Sequence, residues 1–130
     1  MNIAIIYHSE SGNTANTAKL IKKGAEKIDG VKGKIMDFRK LDKKFIESAD
    51  VVMIGTPTYL ADFSWQLKKW FDKDINIDLS DKLGAVFATA RYVGGGAENA
   101  LSSLISHMLV KGMIIYYSGS AKGKPYTHYG

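Results

Sequence analysis

The sequence predicts an α/β fold: a parallel sheet with helices on both faces. Three observations predict it. Short apolar runs of strand length recur along the chain. Between them lie stretches whose apolar residues follow helical spacing. The two kinds alternate from end to end, as they must when each crossover between parallel strands is a helix.

Residues 2–7, NIAIIY, read as a buried strand whose apolar run is Ile3 to Tyr7. Residues 13–28 place Ala18, Ile21, Ala25 and Ile28 on one helical face. Gly30 and Gly33 end that helix. Residues 33–37 predict a short strand and 41–48 a short helix. Asp50 to Gly55 is a second buried run closed by glycine. Phe63, Leu67, Trp70 and Phe71 give another helical stripe, in which Trp65 and Trp70 read as packing residues. Residues 83–90 predict a strand. Ala97, Leu101, Leu104, Ile105 and Met108 line a third helical face that Gly112 closes. Residues 113–117, MIIYY, predict the last strand. Nothing along the chain marks a linker or repeat, so residues 1–130 read as one domain, with right-handed crossovers.

Composition narrows the function classes. The chain has 130 residues, 45% hydrophobic and 24% charged, enough for a core without covalent staples. It contains no cysteine, which excludes disulfides, thiolate-bound metals and thiol catalysis. No apolar stretch approaches membrane-span length, and the start, MNIAIIYHSE, lacks the basic and apolar regions of a secretion signal. A cytoplasmic location is therefore expected. The net charge is +5. The lysines are scattered in pairs (Lys22-Lys23, Lys43-Lys44, Lys68-Lys69) among acids, which fits a solvated surface and not a nucleic-acid site. A field that attracts anionic ligands is the second reading of that charge. His8, His107 and His128 form no metal pattern. His107 reads as a packing residue on its helix, and His8 adjoins the first of three loops discussed next.

Ligands of open parallel sheets sit beyond the C-terminal ends of the strands, where strand order reverses. The loops there read HSESGNT (8–14), TPTYLADFS (56–64) and TARYVGGGAE (89–98). In the first, Gly12 permits a sharp bend, and Ser11 or Asn13 can cap the helix. The free N–H groups of that helix, its dipole, and the hydroxyls of Ser9, Ser11 and Thr14 suit a phosphate. The loop is neither GxxxxGK[ST] nor GxGxxG. An ordinary capped strand-to-helix turn remains the competing reading. In the second loop Pro57 stiffens the chain, and Tyr59 offers a flat face to a ligand ring or to a neighbouring helix. In the third, Gly94, Gly95 and Gly96 allow close backbone approach, with Thr89, Arg91 and Tyr92 as polar and aromatic edges. The alternative there is a flexible loop with Arg91 in solvent.

Three matches in order carry a resemblance over essentially the whole chain. Ser9-Glu10-Ser11-Gly12-Asn13-Thr14 fits the pattern (S/T)-x-(S/T)-G-x-T. Gly55-Thr56-Pro57-Thr58-Tyr59 fits a GTPT-aromatic loop. Gly94-Gly95-Gly96-Ala97-Glu98, with Lys111-Gly112-Met113 downstream, is similar to GGGQE…GM. The chain resembles the flavodoxin-like superfamily, nearest to small flavodoxins and to NAD(P)H:quinone oxidoreductases of the tryptophan-repressor-binding-protein type. That resemblance implies a three-layer fold around a five-stranded parallel sheet of order 2-1-3-4-5. The final helix of such folds is expected to be missing, since the sequence stops at Gly130.

The resemblance also implies FMN, bound without a covalent link. Ser9, Glu10, Ser11, Gly12, Asn13 and Thr14 would hold its phosphate. Thr56, Pro57, Thr58, Tyr59 and Leu60 would line the ribityl chain and ring. Thr89, Ala90, Arg91, Tyr92, Gly94 and Gly95 would close the other side. Flavin N5 would be the reacting centre, with no catalytic side chain and no metal. The function expected first is a two-electron reductase of quinones or similar acceptors, with NAD(P)H as donor. The alternative is a flavodoxin-type electron carrier between protein partners. Partners would be small-molecule or protein redox partners, and a homo-oligomer could cover the missing helix's place.

Two features tilt the expectation toward two-electron chemistry. Carriers of this family often flip a glycine peptide beside N5, and residues 56–62 contain no glycine. Forcing positive φ on Leu60 or Ala61 would cost about 1 kcal/mol. A basic surface also favours the anionic, fully reduced ring; one nearby cation is worth roughly 1–4 kcal/mol.

Overall fold

The structure is a computed structural model and describes residues 1–74, 76–117, 119 and 121. The strands are β1 (Asn2–Tyr7), β2 (Lys32–Asp37), β3 (Val51–Tyr59), β4 (Asp62–Phe63), β5 (Leu83–Thr89) and β6 (Ile114–Ile115). The helices are α1 (Asn13–Ala25), α2 (Lys43–Glu47), α3 (Trp65–Lys69) and α4 (Ala97–Val110).

The sheet runs β2-β1-β3-β5-β6, and every pairing along it is parallel. This is the expected order, 2-1-3-4-5, once the two-residue β4 is set aside. β4 only folds back antiparallel on the end of β3, pairing Thr58 with Phe63 and Tyr59 with Asp62. In register, Ile3 to Tyr7 lie beside Val51 to Gly55, so the ends of β1 and β3 reach the same sheet edge.

Alternation along β1 feeds both faces, which is why its sequence is apolar throughout. Ala4 and Ile6 join Val52, Ile54 and Val86 in one cluster, covered by Ile46 of α2, Leu67 of α3, and Ala100, Leu104 and Met108 of α4. Ile3 and Ile5 join Ala18 of α1 and Phe87 on the other face. Each Val, Leu, Ile, Phe or Met side chain among them that is fully removed from water contributes about 1.5–3 kcal/mol, and each alanine less. Gly55 is required where the sheet is tightest: a Cβ there would lie 2.1 Å from the Phe87 ring.

Several elements differ from the sequence reading. α1 ends at Ala25, so Ile28 is 63% exposed and not on its buried face. The helix is stopped by a turn through Gly30, at φ 78°, and by Glu26, which accepts from Gly33 N at 3.0 Å. The stripe from Phe63 to Phe71 is not one helix. Phe63 belongs to β4, α3 lasts five residues, and residues Trp70–Asp74 open into one π turn. That wider turn carries Trp70 and Phe71 inward side by side, both nearly buried. Trp65 is 66% exposed, contrary to its reading as a packing residue. β3 runs four residues past Gly55, to Tyr59. The last strand is only Ile114–Ile115. The expected lack of a final helix, like His128, falls outside the described residues. No helix of the described residues is long and apolar enough to cross a membrane.

Candidate ligand-binding cleft

At the C-terminal edge of the sheet the three loops meet around a cleft of about 620 Å³. Its lining comes from all three: Ser11 and Asn13; Pro57, Thr58 and Tyr59; Thr89, Ala90 and Arg91. A volume of this size suits a small-molecule or cofactor ligand.

The first loop is built for an open helix end. Gly12 takes φ 89°, a left-handed conformation that glycine adopts without strain. No side chain caps α1, and its first turn holds no acid. The leading N–H groups and the positive end of the dipole therefore stay available to an anion. Ser9 Oγ accepts from Gly12 N at 3.1 Å, which fixes the bend. Asn13 Nδ2 donates to Ser11 Oγ at 3.2 Å. Thr14 is 1% exposed, and its Oγ1 lies 2.8 Å from Thr89 Oγ1. This bond ties the first loop to the third across the sheet edge.

The second loop is a hairpin. Thr56 is buried; its Oγ1 donates to Pro57 O at 2.8 Å and accepts from Ser64 N at 3.0 Å. Leu60 and Ala61 form the two-residue tip at φ 49° and 62°. Both central residues at positive φ is the geometry of a type I′ turn, which here has neither Asn nor Gly. The expectation that positive φ would have to be forced on these residues is thus corrected. The β3–β4 pairing already holds them there. Ala61 sits against Gly96, the residue before α4; a Cβ on Gly96 would come 2.4 Å from that of Ala61. Thr58 Oγ1 is buried and has no partner among the described residues. Thr58 lines the cleft, and its buried hydroxyl keeps its hydrogen-bonding capacity unused.

Tyr59 is 39% exposed. Desolvation, then the Glu10 carboxylate, push its hydroxyl above the ordinary tyrosine range, so the ring stays neutral at physiological pH. Beneath it lies His8, with no exposed surface, its ring edge-on to Tyr59 at 6.3 Å and to Phe38 at 5.3 Å. His8 Nε2 is 2.7 Å from Glu10 Oε1. His8, which adjoins the first loop in sequence, is a buried prop of the second.

Not every expected residue lines the cleft. Ser9, Glu10 and Thr56 are engaged in the internal bonds described above. Leu60 is fully exposed at the hairpin tip, and Tyr92 is 68% exposed with the Arg91 guanidinium 5.5 Å over its ring. Gly94, at φ 69°, and Gly95, whose N–H donates to Tyr92 O at 3.1 Å, shape the turn that leads to α4. His107 is a packing residue, as expected, 5.0 Å from the Phe63 ring, with Nδ1 2.8 Å from Ser103 O.

Comparison with known proteins gives consistent findings. The family model described as Flavodoxin matches residues 5–124. A flavodoxin of Clostridium saccharobutylicum is 43% identical over 130 residues, covering all of this chain and 81% of that protein. A protein of Solidesulfovibrio magneticus named NAD(P)H dehydrogenase (quinone) is 26% identical over 158 residues, covering all of this chain and 75% of that one. The crystal structure of Fusobacterium nucleatum flavodoxin bound to flavin mononucleotide superposes with a TM-score of 0.73 at 20% identity, covering 98% of this chain and 75% of that one.

Proposed function

The chain belongs to the flavodoxin family, and from that premise we propose that it binds FMN in this cleft and carries electrons between partner proteins. The observation that carries the proposal is the meeting of all three loops on one cleft beside the uncapped start of α1. The residues present fit the group. The uncapped start of α1, with Ser11, Asn13 and the Gly12 bend, would take the phosphate. Thr14 would hold the third loop against that end through Thr89. Thr58 would line the cleft beside the ring, and Tyr59 would flank it. Ala90 and Arg91 would close the opposite side and keep water out. FMN itself supplies the redox chemistry, exchanging one or two electrons.

Carrier is preferred to reductase on two grounds. The 43%-identical relative is named flavodoxin, whereas the relatives named NAD(P)H dehydrogenase (quinone) are 23–28% identical. The hairpin geometry also removes the sequence argument against one-electron traffic, because Leu60 and Ala61 already stand at positive φ. The NAD(P)H-dependent reductase keeps one supporting feature, the net charge of +5, which favours a fully reduced anionic ring.

Anaerobic mixing of the FMN-loaded protein with NADH or NADPH separates the two. A carrier should stay oxidised over seconds and become reduced only by dithionite. Rapid reduction by NAD(P)H, with turnover on adding a quinone, would overturn the carrier reading in favour of the reductase.

A further inference from the structure

A second groove, also about 620 Å³, opens at the C-terminal end of β2. Its floor is apolar: Phe38 and Leu41 from the β2–α2 connection face Trp70 and Ile77 from beyond α3. Its rim is cationic, with Arg39, Lys40 and Lys43 all exposed. Lys43 Nζ donates to Asn76 Oδ1 at 2.6 Å across the groove. Arg39 is paired with Asp37 through bonds of 2.8 and 2.7 Å and lies 4.0 Å from Glu10, so the rim's free charge comes from Lys40 and Lys43. Among the described residues no carboxylate lies within ion-pair distance of Lys40 or Lys43, and none lines the groove.

We propose that this groove docks the carrier's redox partner through an acidic segment that sets one apolar side chain among several carboxylates. The cations are spread along the rim and do not converge on one point. A single phosphate is usually held by converging donors. A strip of separated cations around an apolar floor instead matches separated carboxylates around an apolar anchor. The groove also lies beside the flavin cleft. Phe38 N donates to Tyr7 O at 2.9 Å, and the Phe38 ring meets His8, which meets Tyr59 on the cleft wall. A partner seated here stands two side chains from that wall. The redox role of the partner rests on the carrier reading; the groove's preference for an acidic segment does not.

The test uses the FMN-loaded, ¹⁵N-labelled protein and a short capped peptide of glutamates flanking one phenylalanine. The same peptide with lysines is the control. Amide signals of residues 38–43 and of 76–77 should shift saturably with the acidic peptide only. The double variant K40E/K43E should bind it about tenfold more weakly and with less salt dependence, while its FMN affinity stays unchanged. Shifts clustered elsewhere, or an unchanged peptide affinity in K40E/K43E, would overturn the proposal. So would the same shifts produced as readily by inorganic phosphate or by phosphatidylglycerol vesicles. Loss of FMN binding with the peptide still mapping to the groove would sink the carrier reading and leave the docking site standing.

Discussion

At the scale of single residues, the site turns on Thr14. Its hydroxyl is nearly buried and bonds Thr89 at 2.8 Å. Thr14→Val would keep the shape and leave the Thr89 hydroxyl without this partner, a loss of about 1–2 kcal/mol. FMN affinity should fall roughly tenfold, read from quenching of flavin fluorescence. An unchanged affinity would show that the two loops do not act together. The types of the cleft residues were legible in the sequence as serines, threonines and glycines dense at a strand-to-helix join, but those types also suit an ordinary capped turn, and only the structure shows that no side chain caps α1. The Thr14–Thr89 bond was not legible. It joins positions 75 apart, and no local period reports such a contact. The burial of His8 was hidden for the same reason, since it depends on Phe38 arriving from the β2–α2 connection and Tyr59 from the end of β3.

At the scale of elements, the β3–β4 hairpin is the feature the sequence concealed. A two-residue hairpin loop is normally announced by Asn-Gly or Asp-Gly, and here the tip is Leu60-Ala61. Phe63, which faces the core from β4, mimicked the start of a helical stripe. The tip is held by its contact with Gly96. Gly96→Ala should therefore destabilise the fold by about 2–3 kcal/mol, through positive φ and the clash with Ala61. Urea unfolding would measure this, and a loss within error of zero would contradict the packing described. The opposite change is also informative. L60N/A61G supplies the residues that a type I′ turn prefers; Leu60 is fully exposed, and the only packing given up is the Ala61 methyl beside Gly96. It should raise stability by about 1 kcal/mol, seen as a higher melting temperature. The long apolar runs of β1, β3 and β5 were legible because strands buried on both faces leave no polar alternation.

At the scale of the whole molecule, strand order followed from the alternation of strands and helices together with the family resemblance, and the excursion of β4 left it intact. Charge acts at this scale too. Asp37, Asp42, Asp72 and Asp78 all titrate below the ordinary aspartate range. The first three are bonded to Arg39, Lys34 and Lys68, and Asp78 accepts from Ser80. A lowered folded value means that this stabilisation is complete above the unfolded value of about 4 and is lost as pH falls through the folded values. Stability should be flat from neutral pH to about 5 and decline below about 4, modestly, because these pairs are largely solvent-exposed. Unfolding by urea across that range tests the sign; a decline beginning above pH 6 would point to other groups. The central claim, that the three loops form one FMN site, is tested most directly by titrating the flavin-free protein with FMN and following flavin fluorescence. Saturable quenching at one FMN per chain, weakened by Ser11→Ala and by Thr14→Val, is the predicted result. Absence of quenching from the folded protein would contradict it.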